Sequence, residues 1–239
     1  MKIVAIDSSG LTASIAVVED DILLAEYTIQ YKKTHSQTLL PMMEAITKMI
    51  ELDLDTIDAI AVAAGPGSFT GLRIGSATAK GMGLALKKPL IAVPTLDALA
   101  YNLYGTNQLI CPIMDARRGQ VYTGIYEFCT TSIQELHVIE PQCAVSIEDI
   151  IAKLNMMQRE TIFVGDGIPV YADILGRDVT VPFSLAPAHR NRQSAASLAV
   201  LAQQYYREGK TETAEAHQPI YLRLSQAERE RLEAGHDSH

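Results

Sequence analysis

Apolar positions along the chain fall into short continuous runs that end in acidic or glycine-bearing turns, separated by stretches with helical spacing. KIVAID (2–7) predicts a buried strand. After the turn SSG, TASIAVVE (12–19) and DILLAEYTI (21–29) predict a hairpin turning at Asp20 and Asp21. HSQTLLPMMEAITKMIEL (35–52) places Leu39, Met43, Ile46 and Ile50 on one face, widened by Leu40, Met42 and Met49, and predicts a helix. Pro41 must sit in its first turn or bend it. IDAIAVAA (57–64) predicts a strand, GPGSFTGLRIGSATAKGMGLAL (65–86) a loop and a helix, KKPLIAVP (87–94) a strand and TLDALAYNLY (95–104) a helix.

The pattern then restarts. CPIMDARRGQVYTGIYE (111–127) repeats the logic of residues 2–19, with Asp115 in the place of Asp7 and Glu127 in that of Glu19. QELHVIEP (134–141) adds a strand, and SIEDIIAKL (146–154) a helix capped by Ser146 with Asp149 completing a capping-box-like pattern. TIFVGDG (161–167) predicts strand and turn, and RQSAASLAVLAQQYYREG (192–209) a helix ending at Gly209. Two copies of strand, hairpin, helix and strand predict an α/β fold of two duplicated lobes, with mixed sheets flanked by helices and a cleft between them. The lobes span residues 1–105 and 106–222, with the option that the last helix packs back on the first lobe; a polar tail fills 223–239. The tail alternates charges and reads as a solvated helix fraying into disorder. Ligands in such sheets lie off the carboxyl ends of strands, where Asp7, Asp115 and Gly165 would point.

Gly65, Gly67 and Gly71 follow a strand and precede a helix, as a phosphate cradle would. The spacing matches neither phosphate-loop pattern, the loop has no lysine, and Pro66 removes one N–H donor, so a tight turn capped by Ser68 or Thr70 is the preferred reading. Within the helix, Gly71, Gly75, Ala79 and Gly83 form one smooth ridge, and Ala77, Gly81 and Ala85 a second. Helix-interior glycine costs about 0.5–1 kcal/mol relative to alanine, and close helix approach is the usual compensation. Burial against the chain's own sheet accounts for one face; a partner is expected on the other. The methionines of the preceding helix offer an adaptable binding face. The expected docking surface combines Leu39, Met42, Met43, Ile46 and Met49 with Gly71, Leu72, Ile74, Gly75, Thr78, Ala79, Met82 and Gly83.

Composition narrows the function. At 239 residues, 48% hydrophobic and 20% charged, the chain can bury a sizeable core. A net charge of −8 argues against tight unaided nucleic-acid binding. Cys111, Cys129 and Cys143 are odd in number and far apart, so neither a disulfide framework nor a thiolate metal site is expected, and the cytoplasm is the expected compartment. The four apolar residues before Asp7 are too few for a signal peptide, and no run approaches a membrane span.

Independent chemistry is thinly supported. Among the six histidines there is no H-E-x-x-H and no helical pair for zinc, and GSFTG lacks the spacing of a nucleophile elbow, so no metal and no catalytic residue is assigned. Asp7, Ser9, Asp115, Gly165, Asp166 and Gly167 could line a vestigial nucleotide cleft; alternatively Asp7 caps its hairpin turn by accepting backbone N–H bonds. Arg117 and Arg118 either pair with the acidic surface or face a partner or a phosphate at the cleft mouth. HRNR (189–192) is a small basic patch without an assigned role.

IDSS with its hairpin, THSQTLLPMM, AVAAGPGSFTGLRIG, VPTLDALA, MDARRGQVY and VGDG, in this order, resemble the TsaB family of bacterial partner proteins in threonylcarbamoyladenosine synthesis on tRNA. The resemblance spans the chain, weakening toward its end; GPGSFTGLRIG and DARRGQVY are its specific segments, and Ser8 stands where threonine is more familiar. It implies the actin-like ATPase (ribonuclease H-like), sugar-kinase-like fold. It also implies similarity to the catalytic paralogue TsaD, whose metal is held by two histidines in an H-x-E-G-H-like run after a V-P strand. Here both histidine places are lost, to Thr95 and Leu99. The implied role is a non-catalytic subunit that forms a heterodimer with TsaD, has the ATPase TsaE as a further partner and reaches tRNA indirectly. It would support transfer of threonylcarbamoyl from its adenylate to the adenosine next to the anticodon. No cofactor is implied for the chain itself, ATP, ADP and Mg entering only in the complex. An uncovered helix surface also predicts a homodimer when the chain is alone. The alternative is a self-contained actin-like ATPase or kinase using the inter-lobe cleft.

Overall fold

Among the described residues, ten strands and six α-helices are laid down in two rounds of the same order. The computed structural model describes residues 1–31, 33–129 and 135–223, so the expected tail lies outside the described residues except for Arg223. The first round is β1 (Lys2–Asp7), β2 (Ala13–Glu19), β3 (Ile22–Ile29), α1 (His35–Met49), β4 (Ala59–Gly65), α2 (Phe69–Leu86), β5 (Leu90–Pro94) and α3 (Thr95–Tyr101). The second is β6 (Leu109–Arg117), β7 (Gln120–Cys129), β8 (Glu135–Ser146), α4 (Ile147–Met157), β9 (Thr161–Val164), α5 (Ile168–Asp178), β10 (Phe183–Leu185) and α6 (Ala195–Arg207).

The two sheets have the orders β3-β2-β1-β4-β5 and β8-β7-β6-β9-β10, the same order in each round. In each the first three strands pair antiparallel and the rest parallel, so both sheets are mixed. This twice-used ribonuclease H-like topology is the duplicated, actin-like architecture. Gly65 ends β4 and Gly165 directly follows the matching β9, with φ of 116° and 121°, a region that L side chains avoid.

Strand alternation divides the first sheet between two cores. Val4, Ile6, Val17, Ile60 and Val62 face α1 and α2. Ile3, Ala5, Ala16, Ala59, Ala61 and Ala63 face α6 through Leu198, Ala199 and Ala202, the small residues letting that helix approach closely. The second sheet packs Cys111, Ile113, Val121 and Phe163 against α4 and α5. Its other face receives Leu96, Leu99 and Ala100 of α3. Each round therefore sends its last helix across to the other round's sheet. Residues 211–221 also lie on the first lobe, where Glu212 pairs with Leu90 through N···O distances of 2.9 Å in both directions, on the outer edge of β5.

Three details depart from expectation. Pro41 lies in the second turn of α1, on its exposed side, so only the first-turn option of the expectation is set aside. The stretch IPVYADILGRD forms α5, with Pro169 in the first turn where its missing N–H costs nothing, and β10 follows; the sequence pattern carried the prediction only as far as Gly167. Strand β8 runs on to Ser146, through Pro141.

Candidate functional site

The helix pair on the first lobe is turned differently from the expected docking surface. Nine of its thirteen residues, Leu39, Met42, Met43, Ile46, Gly71, Leu72, Gly75, Ala79 and Gly83, are buried within this chain. Ile74, Thr78 and Met82 are half-buried, and Met49 alone is open to solvent. The first glycine ridge serves the fold. A side chain on Gly71 would overlap the Ser8 carbonyl, one on Gly75 would overlap Ser8 Oγ, and one on Gly83 would press on Leu90 and Ala214. Ser8 Oγ donates to the Gly71 carbonyl at 2.8 Å, locking the turn after β1 onto α2. Helical periodicity located the ridge but not the side it faces. The solvent side carries the second ridge, Ala77, Gly81 and Ala85, with Leu84 beside it, and α1 adds Leu40 and Met49. A Cβ on Gly81 would meet nothing within 4 Å.

The cleft residues form paired turns. Asp7 Oδ1 accepts from the Ser9 amide at 2.9 Å and the Ser9 hydroxyl at 2.7 Å. Asp115 Oδ1 accepts from the Arg117 amide at 2.8 Å and from Tyr171 Oη at 3.2 Å. Both aspartates thus cap their own turns, the structural alternative for Asp7. Burial pushes the Asp7 carboxyl above its usual range, opposed by the two Ser9 hydrogen bonds. Burial also pushes Asp166 up, against the Asp115 amide, which Asp166 Oδ1 meets at 3.3 Å, and the Arg192 charge. The lead-in to α6 touches both lobes. Gln193, 2% exposed, lies against Gly10 on one side and reaches Met114 Sδ at 3.6 Å on the other. Arg192 Nη1 donates to the Gly165 carbonyl at 3.2 Å. Ser68 N donates to the Ser9 carbonyl at 2.7 Å, and a side chain on Gly67 would overlap that oxygen. The glycine loop before α2 is spent on the turn after β1.

Arg117 and Arg118 are exposed and hold left-handed backbone, with φ of 65° and 58°. Among the described residues neither pairs with a carboxylate. Arg223 donates to the carbonyls of Ala116 and Arg117, bringing the end of the described chain to this turn.

Sequence reasoning missed a third constellation because its members are 141 residues apart. Ser76 Oγ and His217 Nε2 are 2.9 Å apart, and His217 Nδ1 lies 2.6 Å from Glu212 Oε1. The order Ser-His-Glu is that of a hydrolase relay, but the setting is not. Ser76 is 4% and His217 1% exposed, and Ser76 sits in the middle of α2, where amides are consumed by the helix and none is left for an oxyanion. Lys80 Nζ donates to the carbonyls of Glu215 and His217 at 3.2 and 3.0 Å, and Phe69 stacks on Tyr221 at 4.7 Å. The group fastens residues 212–221 to α2.

Thr95 and Leu99, at the two lost histidine places, have fold duties instead. Thr95 Oγ1 accepts from the Gly65 amide at 3.2 Å, and Leu99 fills the core beneath the second sheet. Among the described residues one group of potential metal ligands converges: Glu127, Cys129 and His137, on β7 and β8.

Comparison with known proteins places this geometry among relatives. A family model described as "TsaD: tRNA N6-adenosine threonylcarbamoyltransferase" matches residues 23–231. The tRNA threonylcarbamoyladenosine biosynthesis protein TsaB of Bacillus subtilis (strain 168) is 33% identical over 236 residues, 98% of this chain and 99% of that protein. Its namesake from Escherichia coli (strain K12) is 31% identical over 93% of this chain and 95% of that protein. Among solved structures, YeaZ from Pseudomonas aeruginosa superimposes with a TM-score of 0.79 at 26% identity, covering 92% of this chain and 99% of that one. A second Pseudomonas aeruginosa structure, described as an uncharacterized protein with similarity to peptidase YEAZ, gives a TM-score of 0.77 at 27% identity, over 93% and 99%.

Proposed function

This chain belongs to the TsaB family of tRNA threonylcarbamoyladenosine biosynthesis proteins, and on that premise we propose that it is the non-catalytic subunit that binds and supports TsaD. The observation that carries the reading is Gln193. In a duplicated fold of this kind a nucleotide would enter between the lobes, at the carboxyl ends of β1 and β6. Gln193 fills that place, held between the turn at Gly10 and Met114. Asp7 and Asp115 each spend one carboxylate oxygen on their own turn, which supports a structural role for both. The position of Gln193 speaks against the self-contained ATPase or kinase reading.

Partner docking falls to the solvent side of α1 and α2. Ala77, Gly81 and Ala85 admit a close helix, and Leu84 beside them supplies apolar area. The same surface would form the homodimer of the isolated chain and the heterodimer with TsaD. Arg117 and Arg118, unpaired among the described residues and fixed in a strained turn, face TsaD or the tRNA it carries. TsaE, ATP or ADP with Mg, and tRNA meet the chain only through this complex, in the cytoplasm. The supported reaction moves threonylcarbamoyl from its adenylate to the adenosine next to the anticodon. No helix among the described residues is long and apolar enough to cross a membrane.

The test is threonylcarbamoyl transfer to tRNA with this chain alone, with TsaD and TsaE alone, and with all three, while light scattering reports assembly. Activity confined to the full mixture, with a heterocomplex present, is the expected result. Transfer by this chain alone, or full activity without it, overturns the proposal.

A further inference from the structure

The β7–β8 hairpin brings together three side chains that neither the fold nor the partner surface uses. Glu127 and Cys129 are two apart on β7 and project to one face, with Phe128 between them turned into the core at 6% exposure. His137 on β8 is the cross-strand partner of Glu127. The potential ligand atoms of all three lie within 4.8 Å of one another. Glu127 Oε1 is 3.4 Å from His137 Nδ1, and the second oxygen, Oε2, is held by Arg159 at 2.7 Å. Arg159 thus fixes the carboxylate while leaving one oxygen toward the histidine. His137 is exposed, so solvent has access.

We propose that Glu127, Cys129 and His137 form a binding site for one borderline-soft divalent ion of the zinc class. The donor set decides the class. Thiolate sulfur and imidazole nitrogen beside one carboxylate oxygen suit zinc or cobalt, whereas calcium and magnesium take oxygen. Bonds of about 2.0–2.3 Å at tetrahedral angles set zinc ligands roughly 3.5 Å apart, so side-chain rotation alone closes the present spacing. Three protein ligands leave a fourth position for water or an incoming group. Binding releases the thiol proton and exchanges the Glu127–His137 pair for two metal bonds. Since the ligands are divided between β7 and β8, the ion is a cross-strand staple, and its binding raises stability by mass action.

Reduced full-length protein is dialysed against zinc and, separately, titrated with cobalt, whose thiolate charge-transfer band in the near ultraviolet reports a cysteine ligand. The expected result is one equivalent of zinc and a cobalt band that is abolished in Cys129→Ser and in His137→Ala but retained in Cys143→Ser. The wild-type unfolding temperature rises with zinc, and those of Cys129→Ser and His137→Ala do not. Because the two ligand variants are independent, misfolding of one leaves the other to decide. His236→Ala/His239→Ala serves as the control for the tail histidines. A band that survives Cys129→Ser, zinc binding that disappears only in the tail variant, or no binding at all overturns the proposal.

Discussion

A side-chain carbon on Gly10 would lie 2.7 Å from Gln193 Nε2, so the turn after β1 and the lead-in to α6 share one space. The contact joins segments far apart in sequence. Gly10→Ala should therefore destabilise the protein by about 1–3 kcal/mol, since a buried glutamine must move to admit the methyl group. The cost should shrink in a Gln193→Ala background, giving a coupling of about 0.5–3 kcal/mol in a denaturant-unfolding double-mutant cycle. Additive effects would mean that the two residues do not compete.

The same wedge predicts what calorimetry will read. Titrating the isolated wild-type chain with millimolar Mg-ATP should give no binding heat, because Gln193 fills the place the nucleotide would take. A saturable isotherm at one site would show that the wedge moves aside, and would restore the ATPase reading.

Two glycines of α2 should respond with opposite signs. Gly81 is exposed, with open space where an added methyl group would project, so Gly81→Ala should stabilise by about 0.5–1 kcal/mol through helix propensity alone. Gly75 is buried against Ser8 Oγ, so Gly75→Ala should destabilise by about 1–3 kcal/mol as the turn after β1 is pushed off the helix. A bulky Gly81→Trp should leave the chain folded and weaken TsaD binding at least about tenfold, a loss of about 1.4 kcal/mol. Wild-type affinity in that variant would move the interface away from the second ridge.

The duplication was legible because its marks are local. Apolar runs ending in Asp7 and Asp115 recur at matching turns, and both aspartates cap the turns they introduce. The Gly65–Gly67 and Gly165–Gly167 pairs carry the same signal, since each begins with a left-handed glycine at the end of a matching strand. What the sequence hid depends on pairing across distance. A period of about 3.6 residues finds two small-residue ridges on α2, but only the position of Ser8 shows which is inside. Gln193 looks like an ordinary polar residue before a helix until the lobes close around it. The Glu127–His137 pair needs the β7–β8 register, and the Ser76–His217 pair needs the chain end to return to the first lobe.

Asp7 sets a pH dependence. Burial pushes its carboxyl above the usual range, so the folded state holds the proton more tightly than the unfolded chain. The penalty for burying the charge is therefore present above the folded pKa, and is withdrawn as the pH falls through it toward the ordinary carboxylate range. Asp7→Asn keeps an acceptor for the Ser9 amide and hydroxyl without the charge. Urea unfolding should show the variant more stable than wild type near about pH 8, with the advantage diminishing toward about pH 4. An advantage that grows on acidification would reverse the sign and refute the assignment.

The Ser76–His217–Glu212 group allows two readings, a fastening and a hydrolase relay. As a fastening, it holds the returning chain through distances of 2.9 and 2.6 Å, with Lys80 and the Phe69–Tyr221 stack on either side. His217→Ala leaves the buried Ser76 hydroxyl and the half-buried Glu212 carboxylate without their partner and should cost about 1–3 kcal/mol; Ser76→Ala, removing one partner, should cost less. Limited proteolysis should then cut residues 211–221 sooner in His217→Ala than in wild type, because the fastened segment opens before the lobes unfold. As a relay, Ser76 would make an acyl-enzyme, and wild type would hydrolyse an activated ester while Ser76→Ala would not. With the hydroxyl buried and the amides of α2 engaged in the helix, wild type and Ser76→Ala should both be inactive on the ester. Ester hydrolysis by wild type that disappears in a folded Ser76→Ala variant would show the segment lifting to expose a working nucleophile, and would make the fastening reading wrong.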